Sequence, residues 1–211
     1  MTPEERKAAY QYTAGSGKFN RPLSGFADGW DPSDYKGIGK VDLDHEGAGK
    51  MIHDLTDLIS NSSYDFDIWL QRGCTPPAIS GPFGCGDLET MSENDLQKLV
   101  GRTSVIYGFV STSACKGDGF NDKVIMNIFA PRGTKMMYCE PFSHYGFGNK
   151  KAWDGLKKQK NFGGEIEVLL QRGGSYTITK IERKGGRIYM DLEIHPERGY
   201  ITEHPGDKTK K

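Results

Sequence analysis

Apolar positions fall at helical spacing most clearly between Gly49 and Ile59, where Met51, Ile52, Leu55, Leu58 and Ile59 share one face, and this predicts an amphipathic helix. Asn61-Ser62-Ser63 ends it. A shorter helix is predicted from Glu4 to Tyr10, entered through Thr2-Pro3, because proline suits a first helical turn. The period drops to two after Asp65: Phe66-Asp67-Ile68-Trp69-Leu70-Gln71-Arg72 alternates and runs into Gly73, which predicts a strand with Arg72 near its end. Pro76, Pro77, Gly81, Pro82, Gly84 and Gly86 read as a turn-rich loop, and Ser92-Glu93-Asn94-Asp95 as the capped start of a short helix carrying Leu96, Leu99 and Val100. Val105 to Ser113 reads as one strand, apolar at first and hydroxylated at its Ser111-Thr112-Ser113 end. More strands are predicted at Val124 to Ala130, Lys135 to Cys139, Glu165 to Gln171, Ser175 to Arg183 and Arg187 to Ile194, with tight breaks at Gly173-Gly174 and Gly185-Gly186. From Pro141 to Gly164 no period holds, and loops of that length are usually functional or mobile.

Composition narrows the picture. A chain of 211 residues suits a single domain over 1–211, with 205–211 a flexible tail. Its 28 basic and 28 acidic residues cancel any whole-molecule field that would steer it to nucleic acid or to an anionic membrane. The start, MTPEERKAAY, carries no apolar stretch behind its charges, so the chain is expected to work in the cytoplasm where it is made, or after delivery into a host cell, with no membrane partner. Cys74, Cys85, Cys115 and Cys139 match no zinc spacing and read as buried thiols. No metal is expected. The five histidines form no ligand pattern, and Gly15-Ser16-Gly17-Lys18 lacks P-loop spacing and reads as a turn.

Three features then stand in order: Leu70-Gln71-Arg72-Gly73, Ser111-Thr112-Ser113, and Phe162-Gly163-Gly164-Glu165-Ile166-Glu167. Together they resemble the Arg, Ser-Thr-Ser, Glu-x-Glu signature of mono-ADP-ribosyltransferases related to clostridial binary toxins, C3-type enzymes and bacteriophage enzymes. The likeness spans most of residues 10 to 195 and reaches back to Tyr12 and Phe19-Asn20-Arg21-Pro22-Leu23. It implies an α+β fold, with a two-sheet β core, an NAD cleft between the sheets and helices toward the N-terminal side.

The chemistry suits these residue types. Loss of nicotinamide from NAD leaves an oxocarbenium-like ribosyl centre, so a carboxylate placed there stabilises developing positive charge. On a strand, Glu165 and Glu167 would point to one face. The resemblance gives Glu167 the catalytic contact with the ribose, Glu165 the orientation and deprotonation of the acceptor, and Arg72 the NAD phosphates or a carboxylate. Ser111 would hold the glutamate. Gly73, Gly108, Phe109, Thr112, Ser113 and Asn20 would line the dinucleotide site, with Phe162 beside Glu165 for target recognition. Relatives carry a basic residue in the strand after Ser-Thr-Ser, but Val124 to Ile128 holds none, which leaves that task to Asn127, to Arg132 or to no residue.

The Glu-x-Glu form, rather than Gln-x-Glu, resembles the members of the family that modify arginine, where a carboxylate at the first position can pair with a guanidinium, so the resemblance implies protein arginine as acceptor. Lys150, Lys151, Lys157, Lys158 and Lys160 precede Phe162 and could draw in an acidic protein or a nucleic acid. Tyr138, Phe142, Tyr145, Phe147 and Trp153 are aromatic candidates for a pocket wall or for core. Alternatives remain: ADP-ribosylation of nucleic acid, an NAD glycohydrolase, or a non-catalytic virion-associated or interaction module with this fold. A cognate inhibitor or delivery partner is also open.

Overall fold

Residues 1–24, 47–115, 122–146 and 166–202 are described by the computed structural model, and among them five helices and eight strands form. The chain opens on α1 (Pro3–Ala14), fixed by a capping box in which Thr2 Oγ1 accepts from Glu5 N at 3.1 Å and Glu5 Oε2 accepts from Thr2 N at 2.6 Å. It runs a turn past the predicted end. Gly17–Ser24 is a helix, α2, which takes in Gly17 and Lys18 of the stretch read as a turn, because Phe19 and Leu23, four apart and both fully buried, give it an apolar face. The amphipathic helix is present as α3 (Gly49–Ser60).

After α3 come β1 (Ile68–Cys74), then α4 (Pro77–Phe83) in place of the expected loop. There the proline sits in the first turn and Gly84, at φ 57°, terminates the helix in the left-handed region, so the breakers punctuate it instead of excluding it. Next is α5 (Glu93–Gln97), capped by Ser92. The single strand predicted from Val105 to Ser113 is two, β2 (Thr103–Ile106) and β3 (Val110–Ser113), which lie far apart in the sheet. Then follow β4 (Val124–Ala130), β5 (Met136–Tyr138), β6 (Glu167–Leu170), β7 (Gly174–Lys184) and β8 (Arg187–Ile194).

The strand order is β2-β7-β8-β4-β1-β3-β6-β5. β4 and β8 run parallel and every other pair is antiparallel. β1 and β4 pair over their full length, whereas β1 and β3 pair only at Gln71 and Ser113. The sheet therefore consists of a five-stranded block (β2-β7-β8-β4-β1) and a three-stranded block (β3-β6-β5) that meet at one point and part on either side of it. The two blocks, joined at that point into one eight-stranded sheet, stand where two sheets were expected.

Each block has its own apolar packing. Leu70, Met126, Ile128, Ile178, Met190 and Leu192 of the five-stranded block pack with Ile79 and Phe83 of α4 and Leu96 of α5. On the other side α1, α2 and α3 pack Tyr12, Phe19, Ile52, Leu55 and Ile59 against Phe109, Met137, Cys139 and Leu169. β6 serves both, because its alternation sends Val168 and Leu170 to the first cluster and Leu169 to the second. Full burial of a leucine such as Leu169 contributes about 2 kcal/mol. Among the described residues no helix is long and apolar enough to cross a membrane.

Candidate active site

Glu167 opens β6 on the face that carries Leu169, toward the three N-terminal helices, and is only 6% exposed. A carboxylate so far from water needs donors. Ser111 supplies one, with its Oγ donating to Glu167 Oε1 at 2.7 Å. Arg72 reaches across the gap between the parting blocks, and its Nη1 donates to the Ser111 carbonyl at 2.7 Å. Guanidinium, serine and carboxylate thus form one connected chain. Gly73 follows Arg72 on β1, opposite Ile125 of β4.

Around this chain the backbone is held at several points. Asn20 of α2 clamps Phe109 as a neighbouring strand would: its Oδ1 accepts from Phe109 N at 2.9 Å and its Nδ2 donates to Phe109 O at 3.1 Å. Tyr12 adds its hydroxyl, donating to the same carbonyl at 3.3 Å, and packs edge-on against the Phe109 ring at 5.6 Å. Gly108 leaves room for this clamp, since a Cβ there would crowd Asn20 Oδ1 at 3.0 Å. Thr112 donates to Val168 O at 2.6 Å, and Ser113 Oγ accepts from Cys115 N at 3.0 Å, so both hydroxyls bond backbone groups at this end of β3.

The strand predicted from Glu165 begins at Glu167. Ile166, a β-branched residue, has φ 41°, a region such residues rarely occupy. Regular strand alternation therefore starts at Glu167 and not before it. Three backbone contacts pin the strained entry: Ala114 N to Ile166 O at 3.1 Å, Cys139 N to Glu167 O at 2.8 Å, and Glu167 N to Glu140 Oε1 at 3.4 Å. Glu165, Phe162, the five lysines, Phe147 and Trp153 lie outside the described residues.

Burial tunes the neighbours. The Tyr12 hydroxyl is pushed above its ordinary range by desolvation, with Arg72 opposing and Glu167 reinforcing the shift. The Cys139 thiol is raised well above the usual thiol range by burial and by Glu167. Cys74, next to Arg72 on the inner face of β1, is raised by burial to about 11. All four cysteines are free thiols, and no cluster of metal-ligating side chains occurs among the described residues.

Of the other candidates, Tyr138 packs against the main apolar cluster and Phe142 against the helical one, under Arg6 at 6.0 Å. Tyr145 is exposed beside His144. Arg132 is exposed, with its backbone N–H on Asp67 Oδ1 at 2.8 Å, while Asn127 bonds Gln71 and Asp191. Glu140 and the contacts that Tyr12 and Asn127 make were not singled out from sequence, since each depends on a partner 27 or more residues away.

A model of the ADP-ribosyltransferase exoenzyme family matches residues 1–195. Among solved structures, the C3 exoenzyme of Clostridium limosum is 20% identical with a TM-score of 0.64, over 92% of this chain and 86% of that one. C3stau2 from S. aureus, solved with NAD, is 18% identical with a TM-score of 0.65, over 92% and 88%. BECa, an ADP-ribosylating toxin of a C. perfringens binary enterotoxin solved with NADH, is 16% identical with a TM-score of 0.59, over 92% of this chain and 44% of that one. No curated protein sequence matches.

Proposed function

The chain belongs to the ADP-ribosyltransferase exoenzyme family, and from that premise we propose that it transfers a single ADP-ribose from NAD to a protein, with arginine as the acceptor. The observation that carries this reading is the bonded chain Arg72, Ser111, Glu167, whose carboxylate is buried and oriented at the gap between the two blocks. A fixed carboxylate with a serine on one oxygen fits a sugar that gains positive charge, and a guanidinium in the same gap fits a pyrophosphate. Arg72, Gly73, Gly108, Phe109, Asn20 and the Ser111–Ser113 segment would hold the dinucleotide. NAD supplies an activated ribose whose bond to nicotinamide breaks, with the electron pair leaving on nicotinamide.

Glu167 then lowers the barrier by facing the ribose with negative charge, and Ser111 keeps that charge aimed. Asn20 and Tyr12 act one step back, by fixing the Phe109 backbone. Glu165 would accept the proton released as the acceptor guanidinium nitrogen bonds to the ribose, with Phe162 contacting the target. The choice of arginine rests on a carboxylate at position 165, which can pair with a guanidinium. A protein of a host cell, reached by a delivered effector or toxin, is the target class that fits.

Incubation with labelled NAD and a cell lysate, followed by mass spectrometry of the labelled species, tests this. Adducts on arginine are expected. Adducts on asparagine, cysteine or a nucleobase overturn the acceptor, and nicotinamide release undiminished without any macromolecule points instead to a glycohydrolase.

A further inference from the structure

Five directly paired residues cross the sheet in one row: Glu167 of β6 stands opposite Ser113 of β3, Ser113 opposite Gln71 of β1, Gln71 opposite Asn127 of β4, and Asn127 opposite Asp191 of β8. Paired residues project to the same side of a sheet. The row therefore runs along one face, and with strands roughly 4.8 Å apart it places Asp191 about 19 Å from the catalytic carboxylate.

Its far half is wired together. Gln71 Nε2 donates to Asn127 Oδ1 at 2.9 Å, and Asn127 Nδ2 donates to Asp191 Oδ1 at 2.8 Å. Each bond turns an amide donor toward Asp191, whose carboxylate keeps several lone pairs for an incoming donor. Lys180 lies opposite Asp191 on β7 but turns its ammonium to Glu182 Oε2 at 3.1 Å. Among the described residues, no cation pairs with Asp191. Over this part of the row opens a cleft of about 340 Å³, lined by Gln71, Ser113, Asn127, Asp191 and Trp69. That size is at the lower end of ligand-binding clefts, about 300 Å³ and above. Trp69 is 56% exposed, and its ring leans on Phe129 at 5.2 Å. An exposed indole beside an unpaired carboxylate suits a planar cation, which the ring face and the charge both attract.

We infer that this cleft is a subsite for a second basic residue of the target protein, an arginine above all, lying along the chain from the residue that is modified. The inference rests on the protein acceptor proposed above. Gln71 and Asn127 stand two and three strand spacings from Glu167, about 10 to 14 Å, which an extended segment covers in three or four residues. A nucleic acid fits poorly, because the row presents two carboxylates and no cation to a phosphate backbone.

The test uses three acceptors with the full chain: a synthetic peptide with two arginines four positions apart, the same peptide with glutamine at one of them, and agmatine, which is too short to reach the cleft. The two-arginine peptide should show a KM about tenfold lower than the single-arginine one, the size of one charge-assisted hydrogen bond. Asp191→Asn, which keeps the bond from Asn127, and Trp69→Ala should each abolish that preference while agmatine serves as the internal reference. An unchanged preference in both variants overturns the subsite, and so does a raised KM for NAD, which would assign the cleft to the dinucleotide. If no arginine compound is modified, the acceptor reading fails separately. Binding of the two-arginine peptide, read as quenching of tryptophan fluorescence that Asp191→Asn and Trp69→Phe remove, then still supports the subsite, and absence of binding overturns it.

Discussion

In the five-stranded block the inner face is mainly apolar, with Arg72 of β1 and Ser104 of β2 as polar interruptions, and is covered by α4 and α5, whereas the three-stranded block and its flanks gather most of the buried polar side chains among the described residues. Thr112, Ser113, Thr134, Glu140, Ser143, Glu167, Gln171 and Arg172 belong to β3, β5, β6 or their ends, and Thr56 of α3 reaches them. Ser80 and Ser175 are the exceptions. Buried polar groups cost free energy unless each finds a partner, so the small block is held by specific bonds where the large one is held by area. Arg172 illustrates this, with Nε on Thr56 Oγ1 at 2.8 Å and a second nitrogen on the Thr202 carbonyl. On the proposed function, stability rests mainly on one half of the sheet and the carboxylate chemistry on the other, with Arg72 of the large block reaching across near the point where they meet at Gln71 and Ser113.

Substitutions in each half should separate the two properties. Glu167→Gln should lower transfer by about 1000-fold, or about 4 kcal/mol of barrier, by removing charge from the reacting ribose. Its thermal midpoint should stay near that of the parent, since the shape and the Ser111 bond are kept. A residual rate within tenfold of the parent would remove Glu167 from the chemistry. Ile128→Ala, in the fully buried centre of β4, should do the reverse: about 3 kcal/mol lost in denaturant unfolding, with activity per folded molecule unchanged. Equal losses of both properties in either variant would break the division between the halves.

Ser111→Ala probes the contact that orients Glu167, and should cost about tenfold in kcat with a smaller rise in KM for NAD. A KM effect alone would leave Ser111 a dinucleotide contact with no part in orienting Glu167. The order Arg72, Ser111, Glu167 was legible in the sequence because each residue sits in a short local pattern. So were the strands β1, β4, β7 and β8, as alternating or apolar runs between turn residues, and the helix α3. What stayed hidden depended on partners distant in the chain. α2 forms because Phe19 and Leu23 find α3 and Tyr12, and between the two strands that divide residues 103–113 the Phe109 backbone bonds Asn20 of α2. The row from Glu167 to Asp191 is a fact of register across five strands, and no window of sequence contains it. At Ile166 a strained φ overrode a regular strand pattern.

The smallest effect tests the large block where it breaks its own rule. Tyr176 is fully buried on β7 and its hydroxyl has no hydrogen-bond partner. Tyr176→Phe removes that group and leaves the ring, so it should be neutral or stabilising by up to about 1 kcal/mol at neutral pH. The difference should grow in alkali. Burial holds the folded-state pKa of Tyr176 above its ordinary value, so in the parent the folded state keeps a proton that the unfolded chain releases once pH passes about 10. Stability is therefore lost as pH rises above that point, by about 1.4 kcal/mol per unit for this group. Phenylalanine has no proton to lose, so unfolding curves of the two proteins should separate progressively above pH ~10. Tyr12, raised in the same direction, remains in the variant and leaves it some alkaline sensitivity. If the Phe variant is instead destabilised by more than about 1 kcal/mol at neutral pH, the hydroxyl is bonded in solution and the large block carries a polar anchor of its own.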